Sequence, residues 1–200
     1  PTRTTPATND ILQFNNAATT TVTNVPTQTI GKLLVSGNTT VNLQATGANT
    51  LTIGGGAGTD LDVASGSVLN INGTNALQIN VATGATGSIT GNMTFSNAAH
   101  TLIAVDASGA TFNSPSVFTA GTSFTGNAFG SGGTSGTVVF SSGSTYIAQA
   151  GGNPFGSSQP NSKVTFQSGS LYKHQIAGAP STTGRTYANF EYDVNSTQSV

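Results

Sequence analysis

The groups with which this chain could do acid–base, metal or nucleophilic chemistry are few. Its six carboxylates are Asp10, Asp60, Asp62, Asp106, Glu191 and Asp193; its histidines are His100 and His174, and it has no cysteine. A thiol mechanism is therefore excluded, and neither histidine stands in a nucleophile–base context. Glycoside hydrolysis needs two carboxylates flanking the scissile bond. Asp60 and Asp62 could share the outward face of a strand, but no basic cluster accompanies them. The expectation is that the chain has no catalytic residues and no cofactor, and is not an enzyme.

One string has a cation-binding look. Gly55-Gly56-Ala57-Gly58-Thr59-Asp60-Leu61-Asp62-Val63 nearly repeats the calcium nonapeptide of β-rolls. Asp62 falls where that motif requires an apolar residue, and no tandem copy supplies the other half of a site. Calcium wants six to eight oxygens, so a structural turn is the expected reading. The tail Arg185 to Asp193 mixes rings with both charges. Arg185, Tyr187 and Tyr192 are the candidate contacts for a glycan, against the plainer reading of one more strand with Tyr187 or Phe190 inside. Thr19–Thr23 and Thr27–Thr29 raise a third idea, an outward Thr-x-Thr ladder that orders ice. The threonine pairs do not recur at the period found below, so no regular array is expected. Sequons at Asn38, Asn72, Asn92 and Asn195 are expected by coincidence in so Asn- and Thr-rich a chain.

These groups sit on a framework of short strands. Charged residues are 6% of the 200, with 26 glycines and a net charge of −1. Disordered chains pair low hydrophobicity with high net charge, whereas here the apolar residues are regularly placed. Leu51-Thr52-Ile53, Leu61-Asp62-Val63, Leu69-Asn70-Ile71 and Leu77-Gln78-Ile79-Asn80-Val81 alternate with the period of a half-buried strand. Turn-forming runs such as Ala64-Ser65-Gly66-Ser67 separate them.

An internal repeat then selects the architecture. Residues 127–146 and 153–172 are identical at ten of twenty positions, offset by 26. Phe140-x-Ser-x-Ser-x-Tyr146 has an earlier copy in Phe112 to Phe118 and an aliphatic relative in Val63 to Leu69. A period of 26–28 suits one coil of a three-sided parallel β-helix, and the expected fold is an all-β, right-handed parallel β-helix of about seven coils. At about 4.8 Å per coil, the rod is on the order of 35 Å long. Val35, Val63, Phe112, Phe140 and Phe166 should stack in one interior ladder, and Phe118, Tyr146 and Tyr172 in another. A β-sandwich is the alternative. Residues 1–10 read as a lead-in or linker, and 11–200 as a single solenoid segment of a longer protein. Its core is aliphatic to about residue 110 and aromatic beyond, since twelve of fourteen aromatics follow residue 111. Gly/Ser loops are expected to emerge near 119–137 and 147–162.

The strings Thr23-Asn24-Val25-Pro26-Thr27-Gln28-Thr29-Ile30-Gly31-Lys32-Leu33-Leu34-Val35 and Ala64-Ser65-Gly66-Ser67-Val68-Leu69-Asn70-Ile71 resemble the β-strand-repeat regions of large secreted proteins of Bacteroidota. Gly169-Ser170-Leu171-Tyr172-Lys173-His174-Gln175 and Gly184-Arg185-Thr186-Tyr187-Ala188-Asn189-Phe190-Glu191-Tyr192 look the same, so the likeness covers roughly residues 9–193. The resemblance implies export by the type IX route and display or release as an adhesin-like protein. It offers no catalytic residues. The function expected is thus a non-catalytic extracellular scaffold of the cell surface. Its partners would be other domains of the same chain, further copies meeting end to end or side by side, and surface glycans. A carbohydrate-binding module is the alternative, and an ice-binding solenoid a minor one. Scattered basic residues argue against nucleic acid, and no apolar run reaches the length of a membrane span.

Overall fold

The computed structural model describes residues 7–194, and it is a parallel β-solenoid of about seven turns without helix. Coil 1 is β1 (Ile11–Phe14), β2 (Thr19–Val25) and β3 (Gln28–Ile30); coil 2 is β4 (Lys32–Val35), β5 (Thr40–Ala45) and β6 (Asn49–Ile53). Coil 3 is β7 (Leu61–Val63), β8 (Val68–Ile71) and β9 (Leu77–Val81); coil 4 is β10 (Gly87–Ile89), β11 (Asn92–Phe95) and β12 (Thr101–Ala104). Coils 5 to 7 contribute two strands each: β13 (Ala110–Phe112) with β14 (Val117–Ala120), β15 (Val138–Phe140) with β16 (Thr145–Ala148), and β17 (Val164–Phe166) with β18 (Leu171–His174). β19 (Asn189–Tyr192) opens an eighth turn.

The first strands of the coils form a seven-stranded sheet, the second an eight-stranded sheet, and the third a four-stranded sheet. Most strands alternate half-buried and buried side chains, as the apolar–polar triplets dictate. No single coil can bury its apolar row alone; stacking shares the row among neighbours.

Both interior ladders are present. Val35 pairs with Val63, Phe112 with Phe140, and Phe140 with Phe166. Ile89 stands between Val63 and Phe112, a rung the aromatic motif does not mark. Phe118, Tyr146 and Tyr172 follow one another on the second sheet. Their rings stack: Phe112 on Phe140 at 4.5 Å, Phe140 on Phe166 at 5.0 Å, and Tyr146 on Tyr172 at 5.3 Å.

Two expectations need correction. The coil is not uniformly 26–28 residues: Leu12 pairs with Leu33, 21 residues on, and Tyr172 with Phe190, only 18 on. Turns between strands absorb most of the difference, and a bulge between Val22 and Val25 shifts the register of β2 on β5. The Gly/Ser loops do not emerge as excursions either. In coils 5 and 6 they wrap the third side of the rod, where Phe124, Phe129 and Phe155 turn inward and are fully buried. Stacked backbone bonds continue through them, from Leu102 N–H to Ala128 O at 2.8 Å and from Gly152 N–H to Gly126 O at 2.7 Å. The lead-in expected for residues 1–10 lies mostly outside the described residues.

Candidate functional site

The nonapeptide-like loop between β6 and β7 already contains a cation. Lys32, on the outer face of β4, sends its ammonium into the loop, donating to Ala57 O at 2.5 Å and Thr59 O at 3.0 Å. Asp60 Oδ1 lies 3.5 Å from the same nitrogen. Asp60 is fully buried, and its Oδ2 accepts the Thr86 N–H at 2.9 Å. Two carbonyls and a carboxylate thus surround a lysine where a calcium loop would surround its metal. Asp62 lies outward between Leu34 and Ser88, and burial raises its carboxyl above the usual range. Asp60 and Asp62 therefore do share a face, but the loop covers Asp60. Lys32 is the residue that sequence reasoning passed over. The signal was present, because Lys32 precedes Val35 by the same three residues as Asp60 precedes Val63.

Most of the other described ionisable groups are likewise engaged. His100 is buried; its Nδ1 accepts the Leu77 N–H at 3.0 Å and its Nε2 donates to Ser96 O at 2.9 Å. Burial holds its pKa below the ordinary value. His174, also buried, lies 3.4 Å from the Tyr172 hydroxyl and 3.2 Å from Gly178 O. Asp106 accepts the Gly84 N–H. Lys173 pairs with Glu191 at 3.0 Å and Asp193 at 2.9 Å. Its hydrogen bonds to these carboxylates hold Lys173 above, and Asp193 below, their ordinary pKa values. Among the described residues, no three His, Cys, Asp or Glu side chains converge on a point where a metal could be held.

Arg185, Tyr187 and Tyr192 occupy different settings. Tyr187 turns inward, edge-on to Phe155 at 5.0 Å and Tyr172 at 4.9 Å, with its hydroxyl donating to Ser181 O at 2.6 Å. Burial pushes that hydroxyl's pKa up to about 12. The Arg185 guanidinium lies over the Phe155 ring at 5.6 Å. Tyr192, half-buried, stacks on His174 at 5.6 Å in the column of Ala120 and Ala148, whereas Phe190 is the next rung of the second ladder. Arg185 and Tyr187 thus meet on Phe155, whereas Tyr192 belongs to another column.

Over coils 1 to 4 the outward faces of the second and third sheets carry mostly neutral polar side chains. Asn70 donates to Asn42 Oδ1 at 3.0 Å and Asn42 to Thr21 Oγ1 at 3.1 Å, an amide ladder along the second sheet. On the third sheet Thr29 pairs with Thr52, 23 residues on, so Thr27 and Thr29 do stack over Thr50 and Thr52. The array stops there: Gln78 and Asn80 follow, then Thr101 and Ile103. A shallow groove of about 260 Å³ crosses this face beside Asn49, Gln78 and Thr101. A second, about 180 Å³, lies beside Tyr172, His174 and Gly178. Both fall below the roughly 300 Å³ at which drug-sized ligands begin to be enclosed. No described helix is long and apolar enough to cross a membrane. Compared with protein-family models, curated proteins and solved structures, the chain matches none.

Proposed function

We propose that this chain is a non-catalytic extracellular scaffold, an adhesin-like rod of the cell surface. One observation supports the reading above the rest: most rings and aliphatics are turned inward, while most of the described charged groups are spent on holding turns and neighbouring coils together. Such a rod carries length with a backbone hydrogen-bonded from coil to coil, and it offers its outer faces for contact rather than chemistry. The likeness to secreted β-strand-repeat regions points the same way. Other domains of the same chain are its first partners. Among the described residues β1 and β19 are each paired on one side only, and Ile11 and Phe190 are exposed beside them. Open strand edges template further strands, so copies could also meet end to end.

Antibodies raised against the folded rod test the location. They should label intact cells of the source organism or its medium, and labelling confined to the cell interior would remove the reading. A glycan array tests the aromatic tail. No binding that Tyr192→Ala abolishes is expected, and finding such binding would make the chain a carbohydrate-binding module instead.

A further inference from the structure

Lys163 is the charge the scaffold does not explain. Its side chain is nearly covered, with 5% of the residue exposed. Lys32 and Lys173 have carboxylate partners and Arg185 has an aromatic one. Lys163 has neither among the described residues. Its ammonium makes one hydrogen bond, to Thr134 O at 2.7 Å, leaving two donors unused. Buried charges are ordinarily paired, because desolvation is otherwise uncompensated. Burial lowers the pKa of this lysine accordingly.

The ammonium does not point at random. It lies beside the loop Gly130-Ser131-Gly132-Gly133-Thr134-Ser135-Gly136, 3.5 Å from where a Cβ on Gly133 would stand. The ends of this loop are pinned: Gly130 N–H bonds Asn127 O, and Gly136 N–H bonds Ser162 O at 2.8 Å. Between those anchors, the N–H groups of residues 131–135 have no acceptor among the described residues. Gly130 and Gly132 have φ near +70° on either side of Ser131, which does not, so the sign alternates over residues 130–132, and Gly133 repeats the positive sign. Alternation in the sign of φ is what turns successive N–H groups toward one concave side, the backbone nest that receives anions. Three hydroxyls, from Ser131, Thr134 and Ser135, stand on the same loop. The equivalent loop one coil on, Gly156 to Ser162, replaces the second and third glycines with Ser158 and Gln159 and carries no such lysine reach. Backbone donors with no protein acceptor, on an exposed loop, thus lie beside a cation without a counter-ion, and one negatively charged oxygen group could engage both.

We propose that the Gly130–Gly136 loop and Lys163 together form an oxyanion-binding site, fit for the sulfate, phosphate or carboxylate group of an acidic ligand. The inference stands apart from where the rod is displayed, so either can fail alone. Titration of the ¹⁵N-labelled chain with sodium sulfate, against sodium chloride at matched ionic strength, tests it. Saturable shifts are expected at the amides of residues 131–135. Loss of a charge-assisted bond should weaken binding at least about tenfold in Lys163→Gln. Lys173→Gln, which alters a paired lysine elsewhere, should bind as the parent does. Gly133→Asp provides a second variant should Lys163→Gln fail to fold. It places a carboxylate beside the ammonium, at a backbone conformation that Asp tolerates, and should abolish the shifts. Identical shifts with chloride, no saturable shift, or undiminished binding in both site variants would overturn the proposal. Chondroitin sulfate and its desulfated form then identify the source. Stronger, sulfate-dependent shifts at the same amides point to an acidic polysaccharide, and shifts with the inorganic ion alone point to a free anion.

Discussion

Lys32 closes the β6–β7 loop from outside, and its loss would leave Asp60 buried beside two unused carbonyls. Removing one partner of a buried pair costs about 3–5 kcal/mol, because the remaining charge keeps its desolvation penalty. Lys32 is partly open to water, so the lower end applies. Lys32→Met should lower the urea-unfolding free energy by about 3 kcal/mol. Lys32→Met with Asp60→Asn should recover part of the loss, since an amide can still accept from Thr86. No change in the single variant would mean that the ammonium is not holding the loop. His100 makes a second prediction, with a sign. Its native pKa lies below the ordinary 6.5, so it folds neutral. Its contribution is complete above pH 6.5 and is lost as pH falls through that value toward the depressed native one. Protonating Nδ1 also removes the acceptor for Leu77 N–H. Thermal melts should show stability falling below about pH 6.5, and His100→Gln, whose side-chain oxygen can take the same bond, should flatten that limb. A melt curve with the same acid limb in the variant would place the titration elsewhere.

The turn joining the first and second strands of each coil explains the Phe-x-Ser-x-Ser-x-Tyr phrase. In coils 6 and 7 it closes with Ser144 N–H on Ser141 O and Ser170 N–H on Gln167 O, while the Ser144 and Ser170 hydroxyls donate to the same carbonyls at 2.7 Å. The glycine between them has a reason in space as well as in φ. A Cβ on Gly169, at φ +86°, would stand 2.3 Å from Ser142 Oγ in the coil before. Gly84, at φ +80°, has nothing within 4 Å of that position. The left-handed conformation costs an ordinary residue about 1–2 kcal/mol. Gly84→Ala should therefore lose about 1 kcal/mol in urea unfolding and Gly169→Ala about 2 kcal/mol or more, the difference being the inter-coil contact. Equal losses would show that stacking at the turn contributes nothing. The phrase was legible because every part of it is fixed by a neighbour in register, whether ring, serine or glycine. Sheet count was not. The stretches around Phe129 and Phe155 have no apolar–polar alternation, so nothing in 121–137 or 149–163 announces that they wall the third side. Ile89 escaped notice for a related reason, since an aliphatic in an aromatic ladder satisfies packing without matching the motif. Lys32 and Lys163 escaped because each finds its partners in a loop about one turn away, Asp60 at 28 residues and Thr134 at 29, and loop residues carry no apolar–polar alternation to mark them.

Across the whole molecule, the core changes from aliphatic to aromatic where the third sheet ends, at β12 and the first inward loop ring, Phe124. Coils 1 to 4 are closed by three hydrogen-bonded sheets; coils 5 to 7 are closed by two sheets and the rings of Phe129, Phe155 and Tyr187. In a stacked array each coil touches only its neighbours, and stability is a sum of coil and interface contributions. A cavity should then act locally. Phe140 is fully buried between Phe112 and Phe166, and Phe140→Ala should cost about 3–5 kcal/mol. Phe190 ends its ladder 39% exposed, and Phe190→Ala should cost under about 1 kcal/mol. Hydrogen exchange separates local from global loss. In Phe140→Ala, protection should fall across 138–174, while the third-sheet strands between residues 28 and 104 keep theirs, because no ring in those coils leans on Phe140. Uniform loss along the chain would mean that aromatic and aliphatic parts fold as one cooperative unit, with coupling carried through the Phe95–Phe118 contact at 5.1 Å.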